Sequence, residues 1–170
     1  MQKVILNKLT YKGFSAIEMM VVLAVLVILA TMAIPSSLHK IIKEQIAAAI
    51  PLADIAKGPV AFTWAAEKTM VKNNAEAGLP SPDKVVNNFI SAVEIQDGAI
   101  HITFGNKVHK NIKNKILTLR PAVIEESQIV PVAWVCGNAS APTNMTIHGI
   151  NKTNVPPEFL PGGCRDVTAK

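Results

Sequence analysis

GFSAIEMMVVLAVLVILATMAIP, residues 13–35, decides how the rest of the chain is read. It opens on a small residue, admits one charge at Glu18, runs almost continuously apolar from Met19 to Ile34, and stops at Pro35. The segment from Ala16 to Ile34 forms a helix of roughly 28 Å at 1.5 Å per residue, close to the hydrocarbon thickness of a bilayer. One membrane span is therefore expected. Pro35 lacks an amide hydrogen and crowds the preceding turn, so a kink or local opening is expected there. Glu18 is the anomaly, because an ionised side chain at the centre of a membrane helix costs about 2.5 to 3.5 kcal/mol. It either reaches the cytoplasmic interface or finds a partner.

Working outward, Met1 to Lys12 is short, polar and cationic, with Lys3, Lys8 and Lys12 and no acid. An ordinary secretory signal places its small-residue cleavage site after the apolar run and loses that run with the leader. Here Gly13 precedes the run. The leader lysines place the N-terminus on the cytoplasmic side and send the remainder outward. They also account for most of the formal charge of +5. What is left is too small to argue for an electrostatic nucleic-acid footprint. At 170 residues there is room for one domain with a real core. The two cysteines, Cys136 and Cys164, in an exported chain favour a single disulfide, with two separate buried thiols as the alternative.

Gly13-Phe14-Ser15-Ala16-Ile17-Glu18-Met19-Met20, followed by Val21-Val22-Leu23-Ala24-Val25-Leu26, resembles the processing site of type IV pilins and the related pseudopilins. The resemblance implies that a prepilin peptidase and methyltransferase cuts after Gly13 and methylates the new amine on Phe14. It also implies that Glu18 pairs with a neighbouring subunit's N-terminal Phe14 during assembly. The chemistry is sound apart from the name. Cleavage creates a cationic amine one helical turn from a carboxylate, both at the edge of an apolar helix, where each charge needs the other. Helical side chains lean toward the N-terminus, so a neighbour shifted along the axis can bring its amine to Glu18. Pilins commonly carry a proline near position 35. The glycine that some have earlier in the helix is replaced here by Val27.

Beyond Pro35, residues 36–74 show helical spacing, with Ile42, Ile46, Ala49, Ile50 and Ala53 as one apolar stripe. Pro51 and Gly58-Pro59 are expected to bend or interrupt this amphipathic helix, and Phe62, Trp64 and Met70 to pack on a sheet. Residues 75–88 form a connecting loop, Asn73 to Asp83 being rich in turn formers. Residues 89–136 carry the sheet. Phe89 to Ile95 and Ala99 to Phe104 flank Gln96-Asp97-Gly98 and read as a hairpin. Lys115 to Arg120 and Ile129 to Cys136 read as two more strands, limited by Pro121 and Pro131. Val135-Cys136-Gly137 and the stretch from Pro156 to Arg165 again resemble the pilin pattern, which implies a disulfide-bounded region over 136–170. The expected fold is α+β: a long N-terminal helix, membrane-spanning in its first half (14–35) and amphipathic in its second, packed on a four-stranded antiparallel sheet, after a leader of residues 1–13.

No enzyme, metal site or cofactor is read from the chain. His39, His101, His109 and His148 are scattered without ligand spacing. Ser36-Ser37 and Ser140 lack a nucleophile motif. Asn138-Ala-Ser140, Asn144-Met-Thr146 and Asn151-Lys-Thr153 match the glycosylation sequon and imply an exposed polar surface. Lys107, His109, Lys110, Lys113 and Lys115 form a basic cluster, read as a solvated inter-strand loop ahead of a nucleic-acid contact. The resemblance implies a homo-oligomeric helical filament, an inner-membrane stage before assembly, an assembly platform and minor pilins as partners, and adhesion, twitching motility or DNA uptake as roles. The alternatives are a type II secretion pseudopilin or minor pilin, or a periplasmic binding domain on an uncleaved anchor, which leaves Gly13-Phe14 and Glu18 unexplained.

Overall fold

In a computed structural model, residues 13–166 are described, except for the side chains at 32–37. The leader before Gly13 lies outside the described residues. The chain divides into two compact units, Met1–Leu38 and His39–Lys170. Helix α1 is Ala16–Ala49. Its side chains from Ala16 through Thr31 are exposed on every face. The kink expected at Pro35 falls on positions whose side chains lie outside the described residues.

Within the second unit, α1 ends at Ala49 and a 3-10 turn, Ile50–Ala53, carries Pro51. Helix α2, Asp54–Glu67, then continues with Pro59 inside it. Pro51 thus interrupts the helix, whereas Gly58-Pro59 does not. The helical region ends at Glu67, short of the expected 74, where Lys68 takes the left-handed conformation at φ 57° and donates its amide to Trp64 O at 2.9 Å. Ile42, Ile46, Ala49, Ala53, Ala56, Val60 and Trp64 are buried at steps of three and four, and they form the stripe that meets the sheet. Phe62 departs from expectation: it is 74% exposed. Two residues from both Val60 and Trp64, it points to the opposite side of the helix.

The sheet runs β1 (Ile90–Gln96), β2 (Ala99–Phe104), β3 (Ile116–Val123), β4 (Ala133–Cys136), all neighbours antiparallel. A two-residue β5, Thr146–Ile147, adds to the end of β3. The expected four strands are present and this short fifth one is extra. Asp97 and Gly98 both have positive φ, 48° and 80°, giving the tight hairpin whose right-handed twist suits the strands. A Cβ on Gly98 would also meet Met70 Sδ at 2.8 Å. Ile100, Ile102 and Phe104 of β2 and Leu117 and Leu119 of β3 face the helix stripe in one core.

Pro121 was expected to end a strand, yet it lies inside β3, opposite Trp134. Gly137 donates to Thr118 O, so the alternation of antiparallel pairing makes Pro121 and Trp134 a non-hydrogen-bonded pair. Toward its other edge, β2 pairing stops at Leu119 and β5 pairing begins at Ala122. No ladder bond is lost there, which is how a proline fits the interior of a strand. β4 starts at Ala133, later than the expected Ile129, which is 94% exposed.

β1 is a sheet edge, and the buried Asn74 closes part of it. Its Nδ2 donates to Val93 O at 2.9 Å and to Pro80 O at 3.0 Å, and its Oδ1 accepts from Ile95 N at 2.7 Å. One side chain thus replaces a missing strand partner and fixes the connecting loop.

On the other face of the sheet, His101 is 1% exposed, with Nδ1 3.0 Å from Thr118 Oγ1 and no partner for Nε2 among the described residues. Burial, with a smaller push from Lys152 and an opposing pull from Glu94, lowers its pKa from 6.5 to about 4. Between those values the unfolded chain binds the extra proton, so stability is full above 6.5 and falls as pH drops toward 4. The His101→Gln variant is expected to remove a loss on the order of 1 to 3 kcal/mol across that window. Melting temperature followed from pH 7 to 4 for both proteins checks this. Parallel curves would show that His101 is not the group responsible.

Candidate functional site

Ser15 and Glu18 build the start of α1 as a reciprocal pair. Ser15 N donates to Glu18 Oε2 at 2.7 Å, and Glu18 N donates to Ser15 Oγ at 3.3 Å. This is a capping box, which satisfies two of the amide donors that every helix start leaves without a partner. The carboxylate also sits at the positive end of the helix dipole. Glu18 is therefore held in the first turn by its own chain, and Oε1 makes no hydrogen bond among the described residues. Sequence reasoning singled out Glu18 and missed Ser15, although Ser-x-x-Glu ahead of an apolar run is the signature of this cap.

Around this start everything is apolar and open. Phe14 is 77% exposed, and Ile17, Met20 and Val27 are exposed by 71%, 71% and 63%. A Cβ on Gly13 would meet nothing within 4 Å. Glu18 lies in a shallow concavity with Phe14, Ile17, Val21 and Val22, so a charge approaching its carboxylate does so across apolar surface. A helix that is apolar all round has to be covered, by lipid or by other helices. Covering the large side chains from Ile17 to Leu29 is worth on the order of 10 kcal/mol. The later helical run, Leu38–Glu67, is also apolar enough in composition to cross a membrane, but its stripe is committed to the sheet.

At the other end of the chain, Cys136 on β4 and Cys164 are joined, with a sequence separation of 28. Gly137 follows at φ 55°, where a Cβ would stand 2.7 Å from Cys164 O. The enclosed segment folds back along β3. Asn154 N donates to Ile116 O, Lys152 N to Thr118 Oγ1, and Thr118 N to Thr153 Oγ1. This covers the edge of β3 that β4 does not reach. Two of the sequon asparagines serve the same loop: Asn151 Nδ2 donates to Gly137 O and to Asn138 Oδ1. Among the described residues no group of three or more His, Cys, Asp and Glu side chains comes together as a metal site.

A family model described as pilin, a bacterial filament protein, matches residues 43–165, from the amphipathic helix through the disulfide loop. This chain belongs to the pilin family. A fimbrial protein of Neisseria meningitidis is 28% identical over 166 residues, covering 93% of this chain and 96% of the relative. Type IV major pilin protein PilE1 of Neisseria gonorrhoeae is 30% identical over 164 residues, covering 93% and 89%. Fimbrial protein EcpC of Eikenella corrodens is 27% identical over 162 residues, 94% of each chain. In this pilin the long helix, the antiparallel sheet and the terminal disulfide are all present.

Proposed function

We propose that this pilin is the main structural subunit of a type IV pilus, without catalytic activity. The observation that carries the proposal is the apolar surface of residues 16–31, exposed on every face and headed by one carboxylate, on a chain whose remainder folds as a pilin domain. Such a surface suits two successive environments, a bilayer before assembly and a bundle of identical helices afterwards. The leader is cut after Gly13, Phe14 becomes the methylated N-terminus, and its amine meets Glu18 of a neighbour already in place. The capping box assists by presenting Oε1 while Oε2 holds the helix start. In the domain, the helix side turned from the sheet carries Ile41, Ile55 and Phe62, each at least 45% exposed, as further surface for neighbours.

The proposal is tested by deleting the gene, restoring it, and shearing the cell surface. Filaments built mainly of this chain should vanish and return with it. A chain that stays in the membrane fraction while filaments persist in the deletion strain would remove it as main subunit.

A further inference from the structure

The second unit separates its charges between two poles. At one pole the loop between β2 and β3, residues 105–115, carries Lys107, Lys110, Lys113 and Lys115 and no acid. It is fastened to the start of the domain, His109 N donating to Gln45 Oε1 at 2.9 Å. Val108 and the buried Ile112 pack into the core, while Lys107, Lys110 and Lys113 remain exposed. None of the four lysines makes an ion pair among the described residues. The acids nearby are Glu44, 4.0 Å from Lys40, Glu158, next to the Phe159 that meets His39, and Asp166, which shares a cleft with Glu158 and Arg165.

The opposite pole lies at the far end of β2, about 20 Å away for a strand of this length. There Asp97 N and Gly98 N donate to Lys72 O and Val71 O, just past the end of α2. Trp64 of α2 touches the ring of His148, whose Nε2 is 2.6 Å from Glu125. Glu67 ends α2 three residues after Trp64, and Asp97 sits in the turn held by Lys72 O. Glu125 reaches this end through His148, with Glu126 next to it in the turn after β3. Glu76 lines a cleft with Glu67. Lys68 and Lys72 are the cations among them. The end is acidic where the other is basic.

We infer that the 105–115 lysine loop of one subunit docks on the Glu67 and Glu126 pole of a second copy further along the filament. This rests on the filament reading and deepens it. Repeating one subunit by translation along an axis brings unlike ends together, whereas a two-fold dimer can bring like ends together. A domain with opposite charges at its two ends is therefore matched to head-to-tail growth and set against like-pole pairing. The contact lies outside the apolar helix bundle and is sensitive to salt.

The test uses the full chain in cells, with sheared filaments and membrane-held processed subunit measured together. Lys110→Glu with Lys113→Glu is expected to cut filament yield about tenfold, and so is Glu67→Lys with Glu126→Lys. Combining all four should restore yield to within about threefold of wild type. The inference is overturned if the lysine reversals assemble at wild-type yield, or if the combined variant does no better than the poorer pair. If a reversal depletes the processed pool, Lys110→Gln with Lys113→Gln replaces it, with an expected loss of about threefold and wild-type yield overturning the inference. Absence of filaments from the wild-type chain would sink the filament reading itself, whatever the variants do.

Discussion

Glu18→Gln is expected to leave a folded, processed subunit in the membrane and almost no filaments. Glutamine still accepts a hydrogen bond from Ser15 N, and it is one of the two residues that complete a capping box. The start of α1 should therefore keep its cap and lose only the attraction between charge and helix dipole, about 0.3 to 1 kcal/mol. What disappears is the charge. In the assembled core a neighbour's amine would then face a neutral amide across apolar side chains. Removing one partner of such a pair costs about 3 to 5 kcal/mol, because the other charge stays buried and uncompensated. That loss recurs at every subunit added, so filament yield should drop at least a hundredfold. Immunoblots of sheared and membrane fractions read the split. Normal filaments from Glu18→Gln would show that the carboxylate acts only as a helix cap.

The second large effect is expected from Cys136→Ser with Cys164→Ser. The bridge closes a loop with a sequence separation of 28, and the chain-entropy relation values such a closure at about 3 to 4 kcal/mol. For a domain of this size that corresponds to a fall in melting temperature of about 10 °C. The segment between the cysteines is also tied to β3 through Lys152, Thr153 and Asn154. Local fraying near Cys164 should therefore precede loss of the sheet, and limited proteolysis should cut after Asn154 first. A melting temperature within about 2 °C of wild type would mean that those hydrogen bonds, and not the bridge, hold the loop.

Much of this architecture was legible in the sequence because it rests on strong local rules. Asp97-Gly98 supplies two positive-φ positions in a row, which leaves little but a tight hairpin, and the strand Ala99–Phe104 begins where that turn requires. The stripe from Ile42 to Ala53 repeats at helical spacing and is buried as a stripe. The departures come from tertiary context. By size Phe62 belongs with Trp64, but a spacing of two places them on opposite helix sides, and only one can meet the sheet. Pro121 ends a strand by local propensity, but it survives in β3 because the neighbouring strands leave that one amide position without a demand. Asn74 looks like any turn residue until the edge of β1 needs a partner.

The candidate site shows the same division. Gly13, Phe14 and Glu18 stood out because a charge inside an apolar run is conspicuous. Ser15 did not, since its role depends on where the helix begins. The two charged poles were invisible in the chain order. Glu67, Asp97 and Glu125 lie far apart in sequence, and the packing of α2 beside the β1–β2 turn, with His148 between Trp64 and Glu125, brings them to one end.

We propose that this pilin is trimmed after Gly13 and polymerises through its exposed apolar helix. Intact-mass measurement of the chain in sheared surface filaments tests it most directly. The chain is expected to begin at Phe14, to carry one added methyl group on its amine, and to be two hydrogens lighter than its dithiol form. A chain recovered only from membranes with Met1 to Lys12 still attached would contradict it.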